Sequence, residues 1–456
     1  MVLSFKSTVL LLAAMLFLSC GGSDPDQQDL TGTPDHSGPA SRKSFLLIII
    51  DTLRADHLSC YGYSRYTSPS IDSLAANGTV WTRAQAQSPW TLPSHATIWT
   101  GLSVRSHRTV TNCNWSSDST ADKNMALDET LPTLPLLMQD AGYSTFGLAN
   151  VCLLSDNYGF HRGFDHYYCR NAGHGMAAAS VDSLMEWLAE HKEEDFFCML
   201  HLYDVHAPYD PPGQYARLYD SESSSDATGW NVQNDTIMNL QDRERLVAMY
   251  DGEISWIDYN LYRLFKWLRE NDLDGRTVVI LTSDHGEEFL DHGWIDHGHS
   301  LYQEVVHIPL IMSGPGIEQG KIDSSAVGQF DILPTVLALA DIDDSTNCDG
   351  ADILSGGLQP DRWVPSSAVA PLPWRENNHM ASVLSGELKT VAVNDLDSLV
   401  TFNIVIDKSE AQPLPPDSQG VHDLLYYWAS PQIGFPEPAT PDRQQTETLR
   451  DLGYID

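Results

Sequence analysis

Phe45-Leu-Leu-Ile-Ile-Ile50-Asp51 is the stretch from which the architecture follows. The run has no polar face, so a strand made from it must be covered on both sides. Strands of that kind belong to the parallel sheets of α/β proteins. Segments 196–203, 277–283 and 307–313 read the same way. Helical spacing predicts helices over 70–76, 133–141, 181–191, 240–270 and 330–340. This alternation predicts an α/β fold with a mostly parallel or mixed central sheet. Asp51 and Asp284 each stand directly after a strand. Open α/β sheets bind ligands beyond the carboxyl ends of their strands, so the two acids are expected at one site.

The chain has 456 residues, a length that suits one large domain and a smaller unit. Lys and Arg number 26 against 62 Asp and Glu, for a net charge of −36. Such a surface repels nucleic acid, which is excluded as a partner. An anionic substrate then needs local positive charge, and a metal ion would supply it. The acids are spread along the chain and read as a solvated surface, not as a binding tail.

Val9 to Leu18 is an apolar run too short to span a bilayer, and it suits a signal-peptide core. Ser19-Cys20-Gly-Gly after it resembles a bacterial lipoprotein cleavage site. Residues 1–20 are therefore expected to be an export signal. A lipidated Cys20 would tether the protein at the periplasmic or outer cell surface; simple secretion is the plain alternative. Residues 21–43 read as a flexible linker, 44–350 as the catalytic domain, and 351–456 as a C-terminal α+β subdomain. Strand-like pieces at 381–384 and 399–406 and a helix over 446–452 are expected in that subdomain. Segment 221–228 reads as a polar surface insertion. Export permits disulfides. Cys152 with Cys169 is the expected pair, and Cys198 in its apolar strand is expected to be a buried free thiol.

Chemistry concentrates in Ser88-Pro-Trp-Thr91-Leu-Pro93-Ser-His95. Proline suits the first turn of a helix, which places Thr91 at a helix N-terminus, where backbone N–H groups favour negative charge. A helix cap is the ordinary role of such a threonine. Asp51, Asp284 and His285 supply a ligand set for one divalent ion, with Thr91 as a fourth ligand and nucleophile. Each alone reads equally well as a turn or cap residue; their joint placement at strand ends favours the metal reading. A second group is rich in histidine: His201, His206, His292, His297, His299 and His307. His206 and His299 are the expected proton donors or anion contacts. His201 and His307 lie on apolar strands and read as structural, and His292 and His297 read equally well as loop residues. Arg54 either contacts the anion, orients a ligand, or forms an ion pair.

Asp51-Thr-Leu-Arg54 with Cys60-Tyr-Gly-Tyr63, Thr91-Leu-Pro-Ser-His95 through Gly101, His206-Ala-Pro-Tyr209, Ser283-Asp-His-Gly-Glu287 and His297-Gly-His-Ser-Leu-Tyr302 through Pro309 occur in order. This series resembles the motifs of the sulfatase family, in the alkaline phosphatase superfamily. The resemblance implies an alkaline-phosphatase-like α/β sandwich and a bound divalent metal such as Ca, Mn or Zn. By position it implies metal ligation by Asp51, Asp284 and His285, a nucleophile at Thr91, and substrate contact by His206. His299 falls near the place of a substrate lysine or histidine.

The departures bear on chemistry. Sulfatases carry Cys or Ser at the position of Thr91 and oxidise it to formylglycine; threonine is not a precursor, so no formylglycine is expected. His95 stands where the family has arginine and is expected to contact substrate. Thr52 stands where a second metal-binding aspartate is usual. His285 replaces an asparagine, which favours manganese or zinc over calcium. Asn150 occupies the region of an absent lysine and is expected to contact the anion. A sulfo-threonine lacks the aldehyde route of breakdown, whereas a phospho-threonine is open to in-line attack by water. The expected activity is hydrolysis of a small-molecule or glycan anionic ester, sulfuric or of the phosphate/phosphonate type. The alternatives are an envelope transferase of phosphoryl-linked head groups and a non-catalytic binding lipoprotein on the same scaffold.

Overall fold

The computed structural model describes residues 42–109, 126–170, 175–220, 225, 227, 240–343, 346–359, 361–368, 380–393 and 398–429. The export signal with Cys20, the linker to residue 41, Cys113, most of the 221–228 insertion and the helix over 446–452 lie outside the described residues.

Strand β1 (Ser44–Ile50) is buried along its whole length at the centre of an eight-stranded sheet. Its side chains alternate between two cores, which is why the run has no polar face. Leu46, Ile48 and Ile50 meet Leu184, Leu188, Ile254 and Leu261 on one side. Phe45, Leu47 and Ile49 meet Leu92, Ile98, Leu333 and Leu337 on the other. The first group of partners comes from α5 (Ala177–His191) and α6 (Leu240–Glu270), and the second from α2 (Thr91–Thr100) and α8 (Ile332–Leu339).

The remaining strands of the sheet are β2 (Gly78–Gln85), β3 (Ser144–Ala149), β4 (His166–Cys169), β5 (Phe196–Leu202), β6 (Thr277–Ser283), β9 (Leu310–Ser313) and β10 (Lys321–Gly328). Their order is β10-β2-β9-β6-β1-β5-β3-β4. Every neighbouring pair is parallel except the two made by β9, so the sheet is mixed, as expected. Helices α1 (Pro69–Ala76), α3 (Val104–His107), α4 (Leu134–Asp140) and α7 (Gln303–Val306) complete this layer. A two-stranded ribbon, β7 (Glu288–Phe289) with β8 (Ile295–Asp296), carries the histidine-rich segment.

The C-terminal part is a four-stranded antiparallel sheet, β11 (Trp363–Ala368), β12 (Met380–Ser385), β13 (Leu388–Val393) and β14 (Ser398–Asn403). Helix α9 (Ser418–Ala429) covers it, with Leu424 and Tyr427 packed on Ala381, Val383 and Ala392. Lys389 of β13 pairs with Glu410 at 2.9 Å, both fully buried. Glu410 accepts the Gln303 N–H at 2.6 Å, and Lys389 donates to the Leu301 carbonyl. The smaller sheet thereby holds the chain that follows the histidine-rich ribbon.

Cys198 is a buried free thiol, as expected, but the Cys152–Cys169 disulfide is not formed. Cys152 sits exposed in a short helical turn, while the Cys169 thiol turns to the Val151 carbonyl at 3.2 Å.

Candidate active site

The parallel register aligns the ends of three strands: Ile50 pairs with Leu202 on one side and with Ser283 on the other. The next residues, Asp51 and Asp284, therefore leave the sheet side by side. Both are fully buried. Asp284 accepts the Thr52 N–H at 3.1 Å and the His285 N–H at 2.9 Å through Oδ1, which turns Oδ2 inward. Gln329 donates to the carbonyls of Ser283 and Asp284 at 3.0 and 2.6 Å and fixes the strand end. Thr52 adopts φ 54°, a left-handed conformation that a β-branched residue rarely takes. The Tyr250 hydroxyl holds it there by donating to the Thr52 carbonyl at 2.7 Å.

Gly286 is required by close packing: a Cβ there would lie 2.1 Å from the Glu304 carbonyl oxygen. Its own carbonyl accepts from His285 Nδ1 at 2.9 Å. A carbonyl only accepts, so Nδ1 carries the proton and Nε2 presents its lone pair. That nitrogen lies 3.4 Å from Thr91 Oγ1, 3.7 Å from Asp51 Oδ1 and 3.5 Å from Asp284 Oδ2. Thr91 is the first residue of α2, after an extended Trp90, so its hydroxyl lies at the unpaired N–H end of a helix.

Both oxygens of Asp51 and Oδ2 of Asp284 are buried with no hydrogen-bond partner. Burial pushes the Asp51 carboxyl up to about 7. Burial and the neighbouring Asp51 charge hold Asp284 well above the usual carboxylate range, and burial drives the His285 imidazole down. Two uncompensated buried carboxylates beside a neutral imidazole lone pair are the donor set of a divalent cation. Asp51, Asp284 and His285 have ligand atoms close enough to share one ion.

Above this group lie His206 and His297. Their rings are 5.0 Å apart, and His297 is 4.3 Å from the His285 ring. His206 is half-buried, stacked on Tyr203, with Nδ1 2.7 Å from the Ala207 carbonyl. Nδ1 of His297 lies 3.0 Å from Asp296 and 3.1 Å from Glu287. Burial alone would lower its basicity, but Asp296 and Glu287 hold it well above the usual histidine range. These two carboxylates favour the charged form of a ring that stands against His285.

Other expected contacts fall elsewhere. His299 is bonded to Glu288 at 2.9 Å and to the His297 carbonyl at 3.0 Å, so the ribbon presents His297 to the cluster in its place. Arg54 spends its guanidinium on Asp56, Asp291 and the Glu287 carbonyl, and clamps the two loops together instead of facing an anion. Asn150 gives its amide protons to the His201 carbonyl at 2.8 Å and Ser180 at 3.1 Å, leaving no donor for substrate. His95 lies fully buried beneath Thr91, bonded to the Thr91 carbonyl at 2.9 Å. His201 is not merely structural: its Nε2 is 3.3 Å from Asp51 Oδ2. His307 does serve the scaffold, 3.0 Å from the Thr82 carbonyl. The signal that could have singled out His297 is the acid immediately before it, with Glu287 returning from the preceding turn.

A family model described as sulfatase matches residues 43–342. A relative named as an uncharacterized sulfatase YidJ of Escherichia coli is 26% identical over 69% of this chain and 71% of its own length. The Delta 4,5-hexuronate-2-O-sulfatase of Bacteroides thetaiotaomicron is 23% identical over 66% and 69%, respectively. In structure, the chain is similar to the phosphonate monoester hydrolase of Agrobacterium radiobacter, with TM-score 0.69, 18% identity, and coverage of 91% of this chain and 96% of that one.

Proposed function

The chain belongs to the sulfatase family of the alkaline phosphatase superfamily and is an ester hydrolase, and from that premise we propose that it cleaves anionic esters with the Thr91 hydroxyl as nucleophile. The observation that carries this reading is the convergence of Thr91 Oγ1, Asp51, Asp284 and His285 Nε2 on one buried point. Asp51, Asp284 and His285 would hold a divalent ion there, whose charge would offset the ester's anionic oxygens and favour the alkoxide form of a neighbouring hydroxyl. The donor set fits manganese or zinc, because an imidazole joins the carboxylates.

The chain's own groups then divide the work. The N–H groups at the start of α2 receive the substrate's charged oxygens. The Thr91 oxygen, entering each turnover as the alkoxide that the previous one released, forms a bond to the central phosphorus or sulfur as the ester oxygen departs on the opposite side. His297 gives that leaving oxygen its proton, with His206 beside it orienting the substrate. Nδ1 of His297 is committed to Asp296 and Glu287, so the proton given is the one on Nε2. Water then attacks the central atom and releases Thr91. His297 takes the proton of that water and is ready for the next turnover.

Threonine favours phosphate- and phosphonate-type esters over sulfate esters, because a threonine ester has no aldehyde through which to collapse. The substrate is a small molecule or a glycan bearing such an ester. Export through the N-terminal apolar segment, with lipidation of Cys20, would place the enzyme in the cell envelope. The test is a panel of sulfate, phosphate-diester and phosphonate esters assayed with added manganese, zinc or calcium. Turnover of a phosphorus ester, lost in Thr91→Ala, supports the reading. Full activity of Thr91→Ala on every ester overturns it.

A further inference from the structure

Beside Asp51 and Asp284 stand two further buried histidines, His95 and His201, that this mechanism does not use. His95 comes from the second turn of α2, and His201 from the last turn of register in β5, where it pairs with Ile49 and so faces α2. Their rings are 5.1 Å apart. Asp51 faces both ways: Oδ1 is 3.7 Å from His285 Nε2 and Oδ2 is 3.3 Å from His201 Nε2. Asp284 Oδ2 is 3.5 Å from His285 Nε2, and the His95 ring approaches it to 3.8 Å at Nδ1, the nitrogen that donates to the Thr91 carbonyl.

We propose that His95, His201 and Asp284, with the second oxygen of Asp51, hold a second divalent cation next to the first. His95, His201 and Asp284 offer ligand atoms close enough to share one ion. All four residues are fully buried, and His95 Nε2, His201 Nε2, Asp284 Oδ2 and both Asp51 oxygens have no hydrogen-bond partner. A single ion at His285 satisfies one oxygen of Asp51 and leaves the two imidazole nitrogens unserved. Buried polar atoms are rarely left so without a ligand. The rings of Trp99 and Phe160 stand 5.9 and 6.4 Å from the His95 ring.

The tautomers agree at His95, where Nδ1 donates to the Thr91 carbonyl and Nε2 keeps its lone pair. At His201 the proton must sit on Nδ1, which gives up a contact from the Asn150 N–H at 3.4 Å, the long limit of a hydrogen bond. Two imidazoles make the position suited to zinc-like borderline ions. Carboxylate-bridged pairs of this kind stand about 3.5–4 Å apart.

The experiment counts metal. The full chain is stripped with a chelator, reloaded with zinc and measured by mass spectrometry. Two ions per chain are expected for the parent, and one for His95→Gln and for His201→Gln. One ion in the parent overturns the proposal, as does retention of two ions in both His95→Gln and His201→Gln. Should the variants fail to fold, zinc-edge anomalous scattering from parent crystals decides. A peak between His95 and His201 supports the second site, and a lone peak at His285 overturns it. A one-ion enzyme that still cleaves esters through Thr91 would remove the second site and leave the hydrolase reading intact. A two-ion protein inert on every ester would do the reverse.

Discussion

The Thr91 hydroxyl lies 3.4 Å from Nε2 of His285, on the side of the ring that carries the lone pair. An ion held by that nitrogen therefore reaches Thr91 as well. Thr91→Ala is expected to lower kcat by about 10⁶-fold, the scale for removal of a serine nucleophile. Thr91→Ser keeps the oxygen and is expected to retain activity within about tenfold. Steady-state assays on the best ester of the panel check both.

His297 is held protonated by Asp296 and Glu287. Activity that depends on its proton is present at low and neutral pH and falls as pH rises through its raised pKa. Asp296→Asn removes one of the two charges, so the alkaline limb of the pH profile should move to lower pH. His297→Gln should cost about 10²–10⁴-fold in kcat and abolish that limb. An unmoved limb in Asp296→Asn would remove His297 from the role of acid.

Metal removal should make stability depend on pH. Asp51 is raised to about 7 by burial and Asp284 is raised with it. A carboxyl whose folded pKa is raised contributes stability below its unfolded pKa, near 4, and loses it as pH climbs through the folded value. Stripped protein is therefore expected to lose stability between about pH 4 and 7. An ion at 100 times its Kd restores about 2.7 kcal/mol. Thermal melts with chelator and with manganese should show the larger rise in Tm at pH 8 than at pH 5.

Arg54 holds the Asp51 loop to the Glu287–Asp291 turn through two hydrogen bonds from Nη1, while Nε and Nη2 grip Asp56. Lysine cannot reproduce that fork. Arg54→Lys should cost about 2 kcal/mol of stability while leaving KM unchanged. A raised KM at unchanged Tm would return Arg54 to the substrate.

The ion-binding half of the site was legible because strand ends are legible. The runs before Asp51 and Asp284 read as buried strands, and the sheet's register sets the two acids side by side. Strand β2 was not, because it carries buried Thr79 and Gln85 and half-buried Arg83 between β9 and β10, where tertiary pairing overrides the polar pattern. Among the histidines, spacing could not choose between His297 and His299. A two-residue offset in a loop moves a side chain from one set of partners to another, and only the β7–β8 ribbon decides which. The partner of His201 was hidden for the same reason: its strand reads as apolar, and only the fold sets its ring 5.1 Å from that of His95 on α2.

The grip of Lys389 and Glu410 on Leu301 and Gln303 makes the smaller sheet a buttress for the segment that follows the histidine-rich ribbon. Lys389→Met would leave the Glu410 carboxylate buried without its cation. Damage to a sheet that supplies none of the ion's ligands is therefore expected to reach the ribbon through this one buried pair.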